Sequence, residues 1–189
     1  ECPLDAVRVI GSSSTRRRAQ VLRADPTLEV KQLRGNVDTR IRKLREGQYD
    51  AIMLAEAGLE RLGLRLPGEA LPTDRFVPSP NQGTVAVVCR DDPEITGPLA
   101  ALDHAPTRLD VAIERAVMEE VGGGCFTPQG IYCRDGDLIA EVLALDGSRW
   151  ERIERHVATP EEARECGRAL REKAGDLIRE ARAALGLKS

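Results

Sequence analysis

The sequence predicts an α/β fold: an open sheet with parallel strands, followed by a small α+β domain built on a three-stranded antiparallel sheet. Three observations carry this. Short apolar runs alternate with helix-spaced segments from Val7 to Gly63, the pattern of parallel strands joined by helices. Beyond the glycines at 122–124, strand-like runs are instead separated by Asp135-Gly136 and Asp146-Gly147, dipeptides that favour hairpins. A long amphipathic segment starting at Pro160 then closes the chain.

Val7–Ile10 is a short apolar strand, followed by Gly11, the polar run Ser12–Thr15 and a helix from Arg16 to Arg23 that stops before Pro26. Leu28–Leu33 alternates as a strand, and Arg34-Gly35-Asn36 makes a turn. Val37, Ile41 and Leu44 mark a helix over Val37–Arg45, ended by Gly47. Tyr49–Ala55 is the next strand, with a short helix through Leu62 and Gly63. Residues 65–83, rich in proline and glycine, read as a connection. Thr84–Cys89 is continuously apolar and predicts a strand buried on both faces. Pro93–Asp103 and Thr107–Val121 follow as helices. Strands are expected near 126–134, 137–145 and 149–157, then one helix from Pro160 to about Leu185, capped by Thr159.

Composition narrows the functional classes. A net charge of −3 argues against a general nucleic-acid binder. No apolar run approaches a membrane span, and the first residues lack the features of a signal peptide, so a cytoplasmic location is expected. The first residue is Glu and a strand begins almost at once, so the chain is expected to start within a longer gene product. Cys2, Cys89, Cys125, Cys133 and Cys166 are widely spaced without a CxxC pair, so they read as free thiols rather than disulfides or metal ligands. His104 and His156 lie in no spacing that implies a metal. The cations are nearly all arginine, with lysine only at 31, 43, 173 and 188. Biased genome composition explains this, and so does a need for bidentate partners to carboxylates or phosphates.

Residues 11–18, GSSSTRRR, leave a strand and open a helix, where free N–H groups and the helix dipole favour an anion. Arg16, Arg17 and Arg18 oppose that dipole unless an anion neutralises them. Either they face solvent while the serines cap the helix, or the turn is a binding site. The arrangement recurs in LRGNVDTR, where Arg34 ends a strand, Gly35 and Asn36 turn, and Arg40 sits in the next helix. In open α/β sheets both turns face one crevice. Arg61 lies where it can reach the same place or simply be solvated. Cys125, flanked by Gly122–Gly124, reads either as a loop thiol for covalent chemistry or as an unreactive residue after a helix cap.

Taken together, GSSSTRR, LRGNVDTRIRKLREGQYDAIMLAEAGLERLG, PNQGTVAVVCR and GGGCFTPQG strongly resemble the porphobilinogen deaminase family, over essentially the whole chain. The resemblance implies two periplasmic-binding-protein-like domains around a cleft and a third, α+β domain. It divides this chain into 7–79 (second domain), 80–93 (returning strand and linker of an incomplete first domain) and 94–189 (C-terminal domain). It implies a covalent dipyrromethane on Cys125, with Ser12, Ser14, Arg16, Arg17, Arg34, Gly35, Arg40 and Arg61 binding its carboxylates, and no metal. The implied activity is stepwise condensation of four porphobilinogen molecules into hydroxymethylbilane, with release of ammonia, by a monomer. The family's catalytic aspartate belongs to the first domain and has no counterpart here, so these residues alone are expected to be inactive. A non-catalytic anion- or solute-binding α/β module is the competing expectation.

Overall fold

The computed structural model describes residues 6–122, 124–184 and 186. Cys2, Gly123, Lys188 and the side chain of Cys125 lie outside what it describes.

Three short parallel strands form the first sheet in the order β2-β1-β3: β1 (Val9–Gly11), β2 (Glu29–Lys31) and β3 (Ala51–Ile52). Asp50 fixes the start of β1 by accepting the N–H groups of Arg8 (2.9 Å) and Val9 (2.7 Å). The helices α1 (Thr15–Ala24), α2 (Val37–Arg45) and α3 (Glu56–Arg61) each follow a strand. Ser14 caps α1 by accepting from the Arg17 N–H, and Asn36 caps α2 by accepting from Thr39. Ala19, Val21, Val30, Leu33 and Ile41 bury the apolar faces.

The second sheet is antiparallel in the order β4-β5-β6, from β4 (Gln129–Arg134), β5 (Asp137–Leu143) and β6 (Trp150–His156). Asp135 (φ 53°) and Gly136 (φ 83°) form the expected tight hairpin. Against this sheet pack α5 (Ala105–Val121), α6 (Pro160–Lys173) and α7 (Gly175–Ala184), around Ile113, Val117, Ile131, Leu138, Val142 and Leu170. A mixed α/β architecture with a three-stranded antiparallel sheet is therefore present. The halves touch closely. Val77 is fully buried, and Pro78 accepts the Ile131 N–H at 2.8 Å. A Cβ on Gly147 (φ 73°) would stand 2.4 Å from the Ala19 carbonyl, so only glycine lets the β5–β6 loop meet α1.

Three expectations are corrected. The strand over Thr84–Cys89 is not formed, and Val85, Val87 and Val88 are 74%, 59% and 92% exposed; Cys89 is exposed with them. An apolar run is buried on both faces only between neighbouring strands, and none among the described residues pairs with it. The long closing helix is two helices, interrupted at Ala174 (φ −92°, ψ 8°) just before Gly175, a poor helix former. Similarly, Pro93–Asp103 divides into α4 (Pro93–Leu99) and a 3-10 turn at Ala100–Leu102. No described helix is long and apolar enough to cross a membrane.

Candidate functional site

Because the three strands of the first sheet run parallel, their outgoing turns lie at one edge, with the N-termini of α1, α2 and α3 behind them. Ser13 stitches two of these turns together. Its Oγ donates to the Leu33 carbonyl at 2.6 Å and accepts the Leu33 N–H at 3.1 Å. Ser12 is buried and its Oγ accepts the Ser14 N–H at 3.3 Å. Gly35 has φ 120°, and a Cβ there would meet Thr39 Cγ2 at 2.7 Å, so this turn requires glycine.

The turn arginines are held by main-chain carbonyls. Arg16 Nη1 donates to Val77 O (2.6 Å) and Gln20 Oε1 (3.1 Å), Arg17 Nη1 to Met53 O (3.1 Å) and Arg18 Nη1 to Val30 O (2.9 Å). Arg40 Nε donates to Gly35 O at 2.8 Å. Burial, and then the neighbouring Arg17, push Arg16 down to about 10, while Glu141 pulls the other way. Arg17 is lowered by burial and then by Arg40. Arg17 therefore stands next to two further guanidinium groups, Arg16 and Arg40, a cluster of like charge that an anion would relieve. Arg34 and Arg61 are exposed, and among the described residues neither side chain makes a hydrogen bond or ion pair. Arg34 lies just beyond β2 and Arg61 ends α3.

A cavity of about 440 Å³ opens where α1 faces the second half of the molecule, within the size range of small-molecule sites, about 300–1,000 Å³. Ser14, Arg16, Ser79, Pro80, Gly124 and Gln129 are among the residues that line it. Gly124 begins the 3-10 turn Gly124–Phe126 that contains Cys125, so the cysteine's turn and the arginine turn share one space. Gln129 is 8% exposed; its Nε2 donates to Gly124 O at 3.5 Å, and its Oε1 has no hydrogen-bond partner.

Sequence reading missed the residues that hold this geometry. Gln20, 1% exposed, donates to Glu141 Oε1 (2.9 Å) and to Val77 O (2.8 Å) while accepting from Arg16. Glu141 is fully buried and also accepts from Arg23 (2.7 Å) and Arg152 (3.2 Å). Glu114, likewise buried, accepts the Asn81 and Cys133 N–H groups at 2.5 and 2.8 Å. A carboxylate inside the otherwise apolar run LIAEVLAL was the one available signal for Glu141. Cys133 is inert: burial, then Asp110, push its thiol up to about 12. Cys166 is also buried. No cluster suited to a metal ion occurs among the described residues.

Fold and geometry define a class: an α/β module that presents unneutralised arginines at its strand ends, joined to an α+β module whose cysteine turn borders the same cavity. Family comparison agrees with that picture and narrows it. Residues 2–97 match the model of the porphobilinogen deaminase, dipyromethane cofactor binding domain, and residues 108–176 that of the porphobilinogen deaminase C-terminal domain. The chain belongs to the porphobilinogen deaminase family. It is 50% identical over 181 residues to a probable porphobilinogen deaminase of Methanosarcina acetivorans, covering 91% of this chain and 57% of that protein. The probable porphobilinogen deaminase of Methanosarcina mazei is 47% identical, with coverage of 94% and 60%, and that of Archaeoglobus fulgidus 41%, with 90% and 60%. The chain thus spans about three-fifths of the length of these curated relatives.

Proposed function

We propose that this chain supplies the cofactor-holding part of a porphobilinogen deaminase, a transferase of tetrapyrrole biosynthesis that condenses four porphobilinogen molecules into hydroxymethylbilane and releases ammonia. In this reading 7–79 is a domain of periplasmic-binding-protein type, 80–93 leads back toward a further domain, and 94–189 carries the cofactor. Cys125 anchors a dipyrromethane through a thioether; when bound, that group supplies the primer on which the chain of pyrroles grows. The acetate and propionate carboxylates of pyrroles need charge-assisted donors, and Arg16, Arg17 and Arg40 are clustered at the strand ends without carboxylate partners. Ser12 and Ser14 shape the turn, Gly35 allows the next one, and Arg34 and Arg61 are free to extend the anion site. A monomer working in the cytoplasm rests on family resemblance alone.

The observation that carries this reading is the cavity of about 440 Å³ shared by Arg16 and Gly124, because the cysteine's turn and the first arginine turn both border it. Intact-protein mass spectrometry of this chain, incubated with porphobilinogen as part of a protein that also carries the family's aspartate-bearing domain, tests it. The wild type is expected to gain the mass of two porphobilinogen units less two ammonia, and Cys125→Ala to gain nothing. A wild type that stays unmodified sinks the covalent-cofactor reading and favours a non-catalytic anion-binding module. An adduct on both proteins removes Cys125 as its site.

A further inference from the structure

Ser13 lies where the backbone ladder between β1 and β2 runs out. The last backbone hydrogen bond joining these strand ends takes the Ser12 N–H to the Lys31 carbonyl at 2.9 Å. Beyond it the tie passes to a side chain, because Ser13 Oγ both donates to the Leu33 carbonyl and accepts the Leu33 N–H. Each partner stands at the foot of an arginine-bearing helix. Ser13 precedes Ser14, the cap of α1 with Arg16 and Arg17, and Leu33 precedes the Arg34-Gly35-Asn36 turn that caps α2 with Arg40. Leu33 is fully buried, so the second turn starts from a fixed point. Across this tie Arg17 feels the charge of Arg40, and their hydrogen bonds go to the Met53 and Gly35 carbonyls, which leave both charges uncancelled. Like charges on two turns push those turns apart.

We propose that Ser13 is a clasp that holds the two arginine turns at one spacing against this repulsion, so that two carboxylates of a single ligand meet Arg17 and Arg40 together. The proposal rests on the anion-binding role given to these turns above. A serine hydroxyl has a single proton, and here that proton goes to the Leu33 carbonyl. Ser13 Oγ therefore has no donor left for an anion, and it acts through the turns rather than by touching the ligand. A ligand with two carboxylates gains when both turns are already set at the right distance, since binding then needs no rearrangement of like charges. A ligand with one carboxylate gains nothing from that spacing. Ser13 is thus a positioning residue whose effect depends on how many carboxylates the ligand carries.

The test titrates the full chain with porphobilinogen, which carries two carboxylates, by calorimetry, and with acetate, which carries one, by chemical-shift change. Ser13→Ala is expected to lose about tenfold in affinity for porphobilinogen, while its affinity for acetate stays within about twofold of the wild type. Ser13→Thr keeps the hydroxyl and should bind porphobilinogen like the wild type. In an Arg17→Met background the repulsion between Arg17 and Arg40 is gone, and adding Ser13→Ala should then cost less than about twofold. Equal losses for both ligands, or the same loss with and without Arg17, would make Ser13 a general support of the fold and overturn the proposal. Unchanged affinity for porphobilinogen in Ser13→Ala also overturns it and leaves the anion-binding reading intact. A wild type that does not bind porphobilinogen overturns both. If Ser13→Ala does not fold, Ser13→Gly supplies the same comparison.

Discussion

The same residue type does opposite work in the two halves of this molecule. In the turns of the first sheet, Arg16, Arg17, Arg18 and Arg40 donate to the carbonyls of Val77, Met53, Val30 and Gly35, and among the described residues none forms an ion pair. In the second half, Arg152 pairs with Glu141 and Glu154, Arg164 with Glu119, Arg168 with Glu120 and Arg149 with Glu180. Carbonyl partners orient a guanidinium without cancelling its charge, whereas carboxylate partners cancel it. The first set therefore keeps its charge uncancelled, and the second is consumed by scaffolding. Counting arginines in a sequence cannot separate these roles; their partners do.

The largest expected effect comes from breaking the scaffolding set. Glu141→Ala removes the fully buried carboxylate that Arg23, Arg152 and Gln20 share. Stranding those donors at the contact between the halves should cost about 3–5 kcal/mol, read as a lower denaturant midpoint in urea unfolding. A loss below about 1 kcal/mol would mean that the network is solvated and the contrast between the halves is overstated.

Next comes the set held only by carbonyls. Arg17→Met keeps the apolar stem but deletes a charge that burial and Arg40 already disfavour. Stability should stay within about 1 kcal/mol of the wild type, while calorimetric affinity for porphobilinogen falls about tenfold or more, the worth of one charge-assisted hydrogen bond. If stability drops as far as in Glu141→Ala with affinity unchanged, Arg17 is scaffolding too.

Much of the fold was legible because its signals are local. Val37, Ile41 and Leu44 as an apolar stripe, with Gly47 as the stop, give α2 the bounds Val37–Arg45 from sequence alone, and Asp135-Gly136 gives its hairpin for the same reason. Residues 84–89 were misread because a continuous apolar run states a demand for two neighbours without showing whether the fold meets it. Ser13 was missed because Ser12, Ser13 and Ser14 are equivalent until Leu33 arrives from another strand. Gln20 and Glu114 were invisible for a related reason, and Glu141 was marked only by its apolar flanks: a polar residue is exposed by default, and only tertiary partners justify its burial.

Acid titration gives the smallest effects and distinguishes Asp50, one carboxylate of the first half, from Glu114, one of the second, by sign. Asp50, in the first half, accepts the N–H groups of Val9 and Arg8, which hold its carboxyl below the usual range. Its contribution is present above the unfolded-state value of about 3.9 and is lost as pH falls through the folded value. Glu114, in the second half, is raised by burial, the dominant cause, against the lowering effect of the Asn81 and Cys133 N–H groups. Its contribution is full below about 4.3 and is lost as pH rises through the folded value. Relative to Asp50→Asn, the wild type should therefore lose its advantage on acidification, and relative to Glu114→Gln it should gain. Urea midpoints of the three proteins between about pH 3 and 7 measure both slopes. Two slopes of the same sign would show that Glu114 is governed by its hydrogen bonds, like Asp50, and that burial does not separate these two carboxylates.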